Sequence, residues 1–266
     1  MISRIREQYQ LFCLALSFFS RLPIPSSTPY SEERMNRAGR YFALVGALLG
    51  LLCALVFGWL SLFLPGNIAV LLTMAFSLFL TGAFHEDGLT DMADGIGGGM
   101  IHERRLAIMK DSRIGTYGAV TLAMALLAKY ALLTALVAHT SLLMVWVLAY
   151  TLSRTVAASL IYDMDYVSDR ETSKSKPLAS KQTKGELRFL ILCGVLPCLW
   201  FSPVVALSLI LSVVALRFSF KSWLIKRIGG FTGDCLGAAQ QLTELWIYLL
   251  LVAFAHNGWL IEAGLV

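Results

Sequence analysis

The chain has 266 residues, of which 57% are hydrophobic and 15% charged, with a mean hydropathy of +0.70 and a formal charge of +5. A water-soluble domain of this length cannot bury so much apolar side chain, so composition excludes an ordinary soluble fold and points to a membrane protein. No polar linker or shift of composition divides the sequence, and 1–266 reads as a single integral membrane domain.

The N-terminal stretch carries Arg4, Arg6 and Glu7 ahead of an apolar run at 11–19, and Arg21-Leu22-Pro23-Ile24-Pro25 follows it instead of a small-residue cleavage site. Segment 1–22 is therefore expected to be retained and to lie in the membrane interface as an amphipathic anchor. Beyond it, crossing about 30 Å of hydrocarbon takes about 20 apolar residues per helix. Seven stretches are read as spans, at 41–64, 67–84, 115–138, 141–162, 189–200, 203–220 and 242–255; the fifth is short and interrupted by Gly194 and Pro197. The expected fold class is all-α, a polytopic membrane helix bundle of about seven transmembrane helices. With the N-terminus inside, the inner segments hold six Lys/Arg before residue 41, four in 85–114, six in 163–188 and four in 217–227, which is 20 of the 22 in the chain. The outer turns hold none, so the positive-inside rule gives an N-in/C-out topology. Cys13, Cys53, Cys193, Cys198 and Cys235 sit mostly in apolar runs without paired spacing, which predicts neither a disulfide framework nor a zinc site.

The inner end of the second stretch reads His85-Glu86-Asp87-Gly88-Leu89-Thr90-Asp91-Met92-Ala93-Asp94-Gly95, followed by Ile96-Gly97-Gly98-Gly99. A helix continuing past Phe84 places Asp87, Asp91 and Asp94 at i, i+4 and i+7, within about 60° of one another on one face. Like charges at this spacing cost a few tenths of a kcal/mol per pair, and a bound cation offsets the repulsion. Hard Mg²⁺ takes oxygen ligands from a few carboxylates and substrate phosphates, so Asp87, Asp91 and Asp94 are its expected ligands. Glu86 points about 100° away from Asp87 and would serve a second metal or a basic partner. The glycines end the helix and let backbone approach a phosphate, which makes Gly97 and Gly98 candidate ligand contacts.

Further along, Lys110 and Arg113 flank Asp111 before the third stretch, and cations beside carboxylates suit a phosphate site. Arg154 lies about twelve residues into the fourth stretch, where an unpaired charge is costly; it is expected to bind substrate phosphate or to pair with an aspartate. Lys129 reads as a structurally paired or snorkelled residue. In Gly229-Gly230-Phe231-Thr232-Gly233-Asp234, Thr232 is a candidate ligand contact and Asp234 either a catalytic group or a helix N-cap. His85 either orients a ligand or caps its span, His102 falls in a solvated loop, and His139 and His256 fall on the outer side. The most biased segment is Ser173-Lys174-Ser175-Lys176-Pro177, and no internal repeat is visible.

Several strings together resemble the cobalamin synthase (adenosylcobinamide-GDP ribazoletransferase) family: Phe18-Phe19-Ser20-Arg21-Leu22-Pro23-Ile24-Pro25, His85 to Gly95, Met109-Lys110-Asp111-Ser112-Arg113-Ile114-Gly115 and Gly233-Asp234-Cys235-Leu236-Gly237-Ala238. The resemblance implies Mg²⁺-dependent joining of adenosylcobinamide-GDP to α-ribazole or its 5′-phosphate with release of GMP. It also implies a bacterial cytoplasmic membrane location with the active site facing the cytoplasm. Partners would be these substrates and membrane lipid, not nucleic acid, with homo-oligomers or association with other corrinoid-pathway enzymes left open. The wider CDP-alcohol phosphotransferases share the opening Asp91-x-x-Asp94-Gly95, but Gly98-Gly99 stands where they carry Ala-Arg, and Gly115 stands four residues after Asp111. Catalytic roles are assigned to Asp111 and Asp234, with Asp111 preferred as the base, and to Lys110 and Arg113 on phosphate. The rival readings are another CDP-alcohol-type phosphotransferase, an ion-coupled transporter, whose acids would sit nearer the bilayer midplane, and a scaffold, which leaves co-facial aspartates unexplained.

Overall fold

The computed structural model describes residues 2–168 and 181–260, and every regular element among them is helical. In chain order these are α1 (Ile2–Phe19), α2 (Glu32–Ala38), α3 (Phe42–Leu60), α4 (Gly66–Thr81), α5 (Phe84–Gly98), α6 (His102–Met109), α7 (Thr116–Leu136), α8 (Leu142–Ser159), α9 (Lys184–Val195), α10 (Pro203–Ile228) and α11 (Gly233–His256). The lysine-rich segment 173–177 lies outside the described residues.

By length and composition five helices suit a membrane crossing, Glu32–Leu60, Thr116–Leu136, Leu142–Tyr162, Pro203–Ile228 and Gly233–His256, and the bent pair α4 plus α5 makes a sixth. The fifth expected stretch, 189–200, is not among them. There α9 stops at Val195 and Pro197 sits in the 3₁₀ turn Leu196–Trp200, because proline removes a backbone donor and breaks the α-helical ladder. The last helix starts at Gly233, nine residues before the apolar stretch, so its first turns carry polar side chains.

The hub is α8, in which every residue except Leu143 and Met144 is buried, as a helix apolar nearly all round must be. Helix α3 crosses it through Gly46 and Gly50, where a Cβ would overlap the carbonyls of Tyr150 and Trp146. Without water to drive association, such small-residue contacts give membrane helices their packing energy. Contacts between helix ends fix which loops share one end of the bundle. Arg40 pairs with Glu186 at 2.6 Å, Arg217 and Lys221 both reach Asp163, and Arg105 donates to the Arg227 carbonyl at 2.7 Å. These contacts join the basic segments at the start of α3, the end of α8, the start of α9 and the end of α10.

At the same end α4 does not continue into α5. Gly82 (φ 67°) and Ala83 (φ 55°) are both left-handed, the amides of both bond to the Leu78 carbonyl, and α5 departs at 85° to α4. The Arg21 amide bonds the Leu80 carbonyl at 2.8 Å and its guanidinium covers Gly82, leaving no room for a Cβ. Helix α5 thus lies across the end of the bundle and touches α11 through Gly88 and Gly237. The N-terminal α1, which is not among the candidate spans, packs on α2 through Arg37–Glu7 at 2.8 Å and Arg34–Gln10 at 2.6 Å, and on the turn after it through Tyr41–Gln8 at 2.7 Å.

The left-handed conformation costs a non-glycine residue about 1–2 kcal/mol. In thermal melts of the detergent-solubilised protein, Ala83→Gly should therefore hold or raise the melting temperature. Gly82→Ala should lower it, through the same cost plus collision with Arg21. A lower melting temperature for Ala83→Gly together with an unchanged one for Gly82→Ala would contradict the bend.

Candidate active site

Where α5 crosses, its first two turns face a cavity of about 700 Å³. Asp87 and Asp91 come from α5, Lys110 and Asp111 from the loop after α6, and Asp234 from the first turn of α11, all in one lining. The Gly88–Gly237 crossing explains the last of these, since a Cβ on Gly88 would sit 2.9 Å from the Asp234 carbonyl oxygen. The roof is apolar, with Leu14 and Phe18 from α1 and Met35 from α2, so the amphipathic N-terminal segment closes the cavity from outside the bundle. Sequence reasoning did not assign these roof residues a role. Their one signal was the Phe18-Phe19 pair ahead of Arg21.

Asp94 does not join this lining. Its Oδ2 accepts the Gly115 amide at 2.7 Å and its Oδ1 the Gly118 amide at 2.8 Å, so it caps the N-terminus of α7, where a carboxylate meets the positive end of the helix dipole. The i, i+4, i+7 face is present, but α5 runs along two neighbours in turn: its early turns meet the cavity and its last turns meet α7. Gly97 and Gly98 are likewise outside the lining. A Cβ on Gly97 would strike the Tyr117 ring, and one on Gly98 would meet Ile108 at 3.4 Å.

Asp111 is gripped by Arg113, whose Nε lies 3.0 and 3.2 Å and Nη2 2.6 Å from its carboxylate oxygens. These hydrogen bonds, side chain first and then backbone, hold its pKa down at about 2. The Arg113 side chain is 88% exposed and is absent from the cavity lining. Thr232, not Asp234, is the N-cap of α11, its Oγ1 accepting the Cys235 amide at 3.4 Å. Asp234 itself receives one hydrogen bond among the described residues, from Thr232 Oγ1 at 3.4 Å.

Glu86 turns the opposite way from Asp87, into the bundle. Its Oε1 accepts Gln241 Nε2 at 2.9 Å and lies 3.7 Å from Lys129 Nζ. Lys129 also reaches Glu244 Oε1 at 3.1 Å, and Glu244 accepts Gln240 at 2.6 Å and Tyr248 at 3.0 Å. Glu86 is thus held by a buried basic partner within the bundle. Arg154, 2% exposed, donates to the Tyr150 carbonyl at 3.1 Å and lies over the Tyr150 ring at 4.8 Å. It is absent from the lining of the carboxylate cavity, and among the described residues its contacts are to Tyr150 and not to an aspartate. Four buried ionisable groups, Lys129, Arg154, Glu86 and Glu244, balance in formal charge. All five cysteines are free thiols.

Fold and cavity together define a polytopic helical membrane protein whose carboxylates and cations gather at the basic end of its bundle. The chain belongs to the cobalamin-5-phosphate synthase family, whose model matches residues 11–252. It is 64% identical over 253 residues (95% of the chain, 96% of the relative) to an adenosylcobinamide-GDP ribazoletransferase of Vibrio parahaemolyticus. Proteins of the same name from Vibrio cholerae and Shewanella frigidimarina are 59% and 48% identical, over 97% and 93% of this chain and 98% and 95% of theirs. No solved structure matches the chain.

Removing one partner of a buried ion pair leaves an uncompensated charge and costs about 3–5 kcal/mol. Lys129→Met should accordingly lower the melting temperature sharply, and adding Glu244→Gln should restore part of the loss. A single variant as stable as the wild type would show that the network contributes nothing to folding.

Proposed function

We propose that this chain is an adenosylcobinamide-GDP ribazoletransferase, joining the adenosylcobinamide phosphate group to α-ribazole or its 5′-phosphate and releasing GMP. One observation carries the mechanistic part of the reading: Asp87, Asp91, Asp111, Asp234 and Lys110 line a single cavity at the basic end of the bundle. An ion-coupled transporter would carry its acids near the midplane, and a charged diphosphate substrate arriving from water needs them at an end. The density of Lys and Arg at that end supports a cytoplasmic active site in a bacterial inner membrane.

Asp87 and Asp91 are the residues proposed to hold Mg²⁺. Among the described residues no three His, Cys, Asp or Glu side chains are close enough to hold a cation unaided, and Mg²⁺ commonly takes one or two carboxylates, completing its shell with water and substrate phosphate. When bound, the ion would neutralise charge on the diphosphate oxygens. Lys110 contributes a fixed cation to the same oxygens. As the ribose oxygen of the acceptor bonds to phosphorus, the phosphorus–oxygen bond to GMP breaks and the hydroxyl proton passes to a carboxylate. Asp111 is a poor acceptor while Arg113 holds it ionised near pKa 2. Asp234 takes that role here, reversing the preference from sequence, because it faces the cavity with a single long hydrogen bond.

The two kinds of aspartate on α5 should separate experimentally. Asp87→Asn and Asp91→Asn should each raise the Mg²⁺ concentration needed for half-maximal GMP release by about tenfold or more, about 1.4 kcal/mol per factor of ten. Asp94→Asn should instead lower the melting temperature, losing about 1.5–3 kcal/mol of charge-assisted hydrogen bonding to α7, with its Mg²⁺ requirement little changed. An unaltered Mg²⁺ requirement in both cavity variants would remove the assigned metal ligands.

A further inference from the structure

Beside the carboxylate cavity lies a narrower one of about 40 Å³, and the two share Phe18, Phe84 and Gly233 in their walls. Phe19, Phe42, Phe231, Ala157, His85 and Arg154 complete most of the narrow one. The His85 ring lies flat on Phe19, with centroids 5.4 Å apart and planes 9° from parallel. Two polar atoms here have no hydrogen-bond partner, His85 Nε2 and Arg154 Nε, although these residues are 3% and 2% exposed. Leaving a buried donor unmet costs about 1–3 kcal/mol, and the Arg154 Nε–H is such a donor beside an aromatic slot.

We infer that this slot receives the planar heteroaromatic base of the acceptor nucleoside, an inference that rests on the ribazoletransferase reading. The base of α-ribazole, a dimethylbenzimidazole, is an apolar bicycle with one free imine nitrogen, which accepts a single in-plane hydrogen bond. Aromatic walls suit its faces, and the Arg154 Nε–H supplies the donor. The position of the slot also sets the direction of the sugar. Gly233 lies on both walls and Asp234 follows it, so a base seated in the slot carries its ribose to the rim where Asp234 faces the carboxylate cavity. An apolar cavity of about 150 Å³ admits benzene. The slot is smaller, so Phe18 and Phe84, in edge-to-face contact at 4.9 Å, turn aside as the base enters.

The test uses full-length protein in detergent and three acceptor-side probes: α-ribazole, its indole analogue with carbon in place of the imine nitrogen, and free dimethylbenzimidazole. Wild type should show a KM for the indole analogue about tenfold or more above that for α-ribazole, the loss of one hydrogen bond. Arg154→Lys keeps the charge but misplaces the donor, and should bring the two KM values together. Ala157→Leu fills the slot and should raise the α-ribazole KM about tenfold without moving that for adenosylcobinamide-GDP. Free base should compete with α-ribazole alone. Normal turnover with no discrimination against the indole analogue, no competition by free base and an unmoved α-ribazole KM in Ala157→Leu would mean that the slot holds only water, and would overturn this inference alone. Absence of ribazole-dependent GMP release in the wild type would overturn the ribazoletransferase reading as well.

Discussion

The site depends on one backbone event, the pair of left-handed residues at Gly82 and Ala83. Had α4 continued straight, its carboxylates would have run on along the helix axis, and α5 could not have met α11. The 85° turn lays α5 across the end of the bundle, where its polar face borders a water-accessible cavity and its other faces bury against α7 and α11. Ionised groups deep in hydrocarbon cost several kcal/mol, and the bend lays Asp87 and Asp91 on a cavity at the end of the bundle while leaving them anchored to a rigid helix.

Rotation of α5 about its axis is fixed from inside. Glu86 and Asp87 are adjacent in sequence and face opposite ways, so the ties from Gln241 and Lys129 to Glu86 also set where Asp87 points. At its far end Asp94 fastens α5 to the start of α7 through two backbone amides, and Gly115 and Gly118 leave the room that this carboxylate needs. One short helix therefore carries inward-facing structural acids and outward-facing site acids.

Much of this was legible in the sequence. Composition gave the membrane class, the distribution of Lys and Arg marked the basic end of the bundle, and the acidic run beside the glycines marked α5. Helical spacing placed Asp87, Asp91 and Asp94 on one face correctly, but a face says nothing about what packs against it. The groups that decide the roles of Asp94, Glu86 and Arg154 come from 21 residues away in Gly115, 155 away in Gln241 and 4 away on the same helix in Tyr150. Only the last is local, and it is a backbone carbonyl, which no side-chain pattern reveals. The stretch 189–200 is short and interrupted by Gly194 and Pro197, and Pro197 sits in a 3₁₀ turn there. Phe18 and Phe19 read as part of an interfacial anchor, and the place of Phe18 between two cavities follows from the way α1 packs beside α5.

The central claim, that phosphoryl transfer takes place at the carboxylates of α5, is tested most directly by a density map of the full-length protein with Mg²⁺ and a non-hydrolysable analogue of adenosylcobinamide-GDP. The account predicts the diphosphate in the 700 Å³ cavity, with a cation between it and Asp87 and Asp91, and Lys110 on its oxygens. A diphosphate bound elsewhere, with Asp87 and Asp91 touching neither cation nor phosphate, would contradict it.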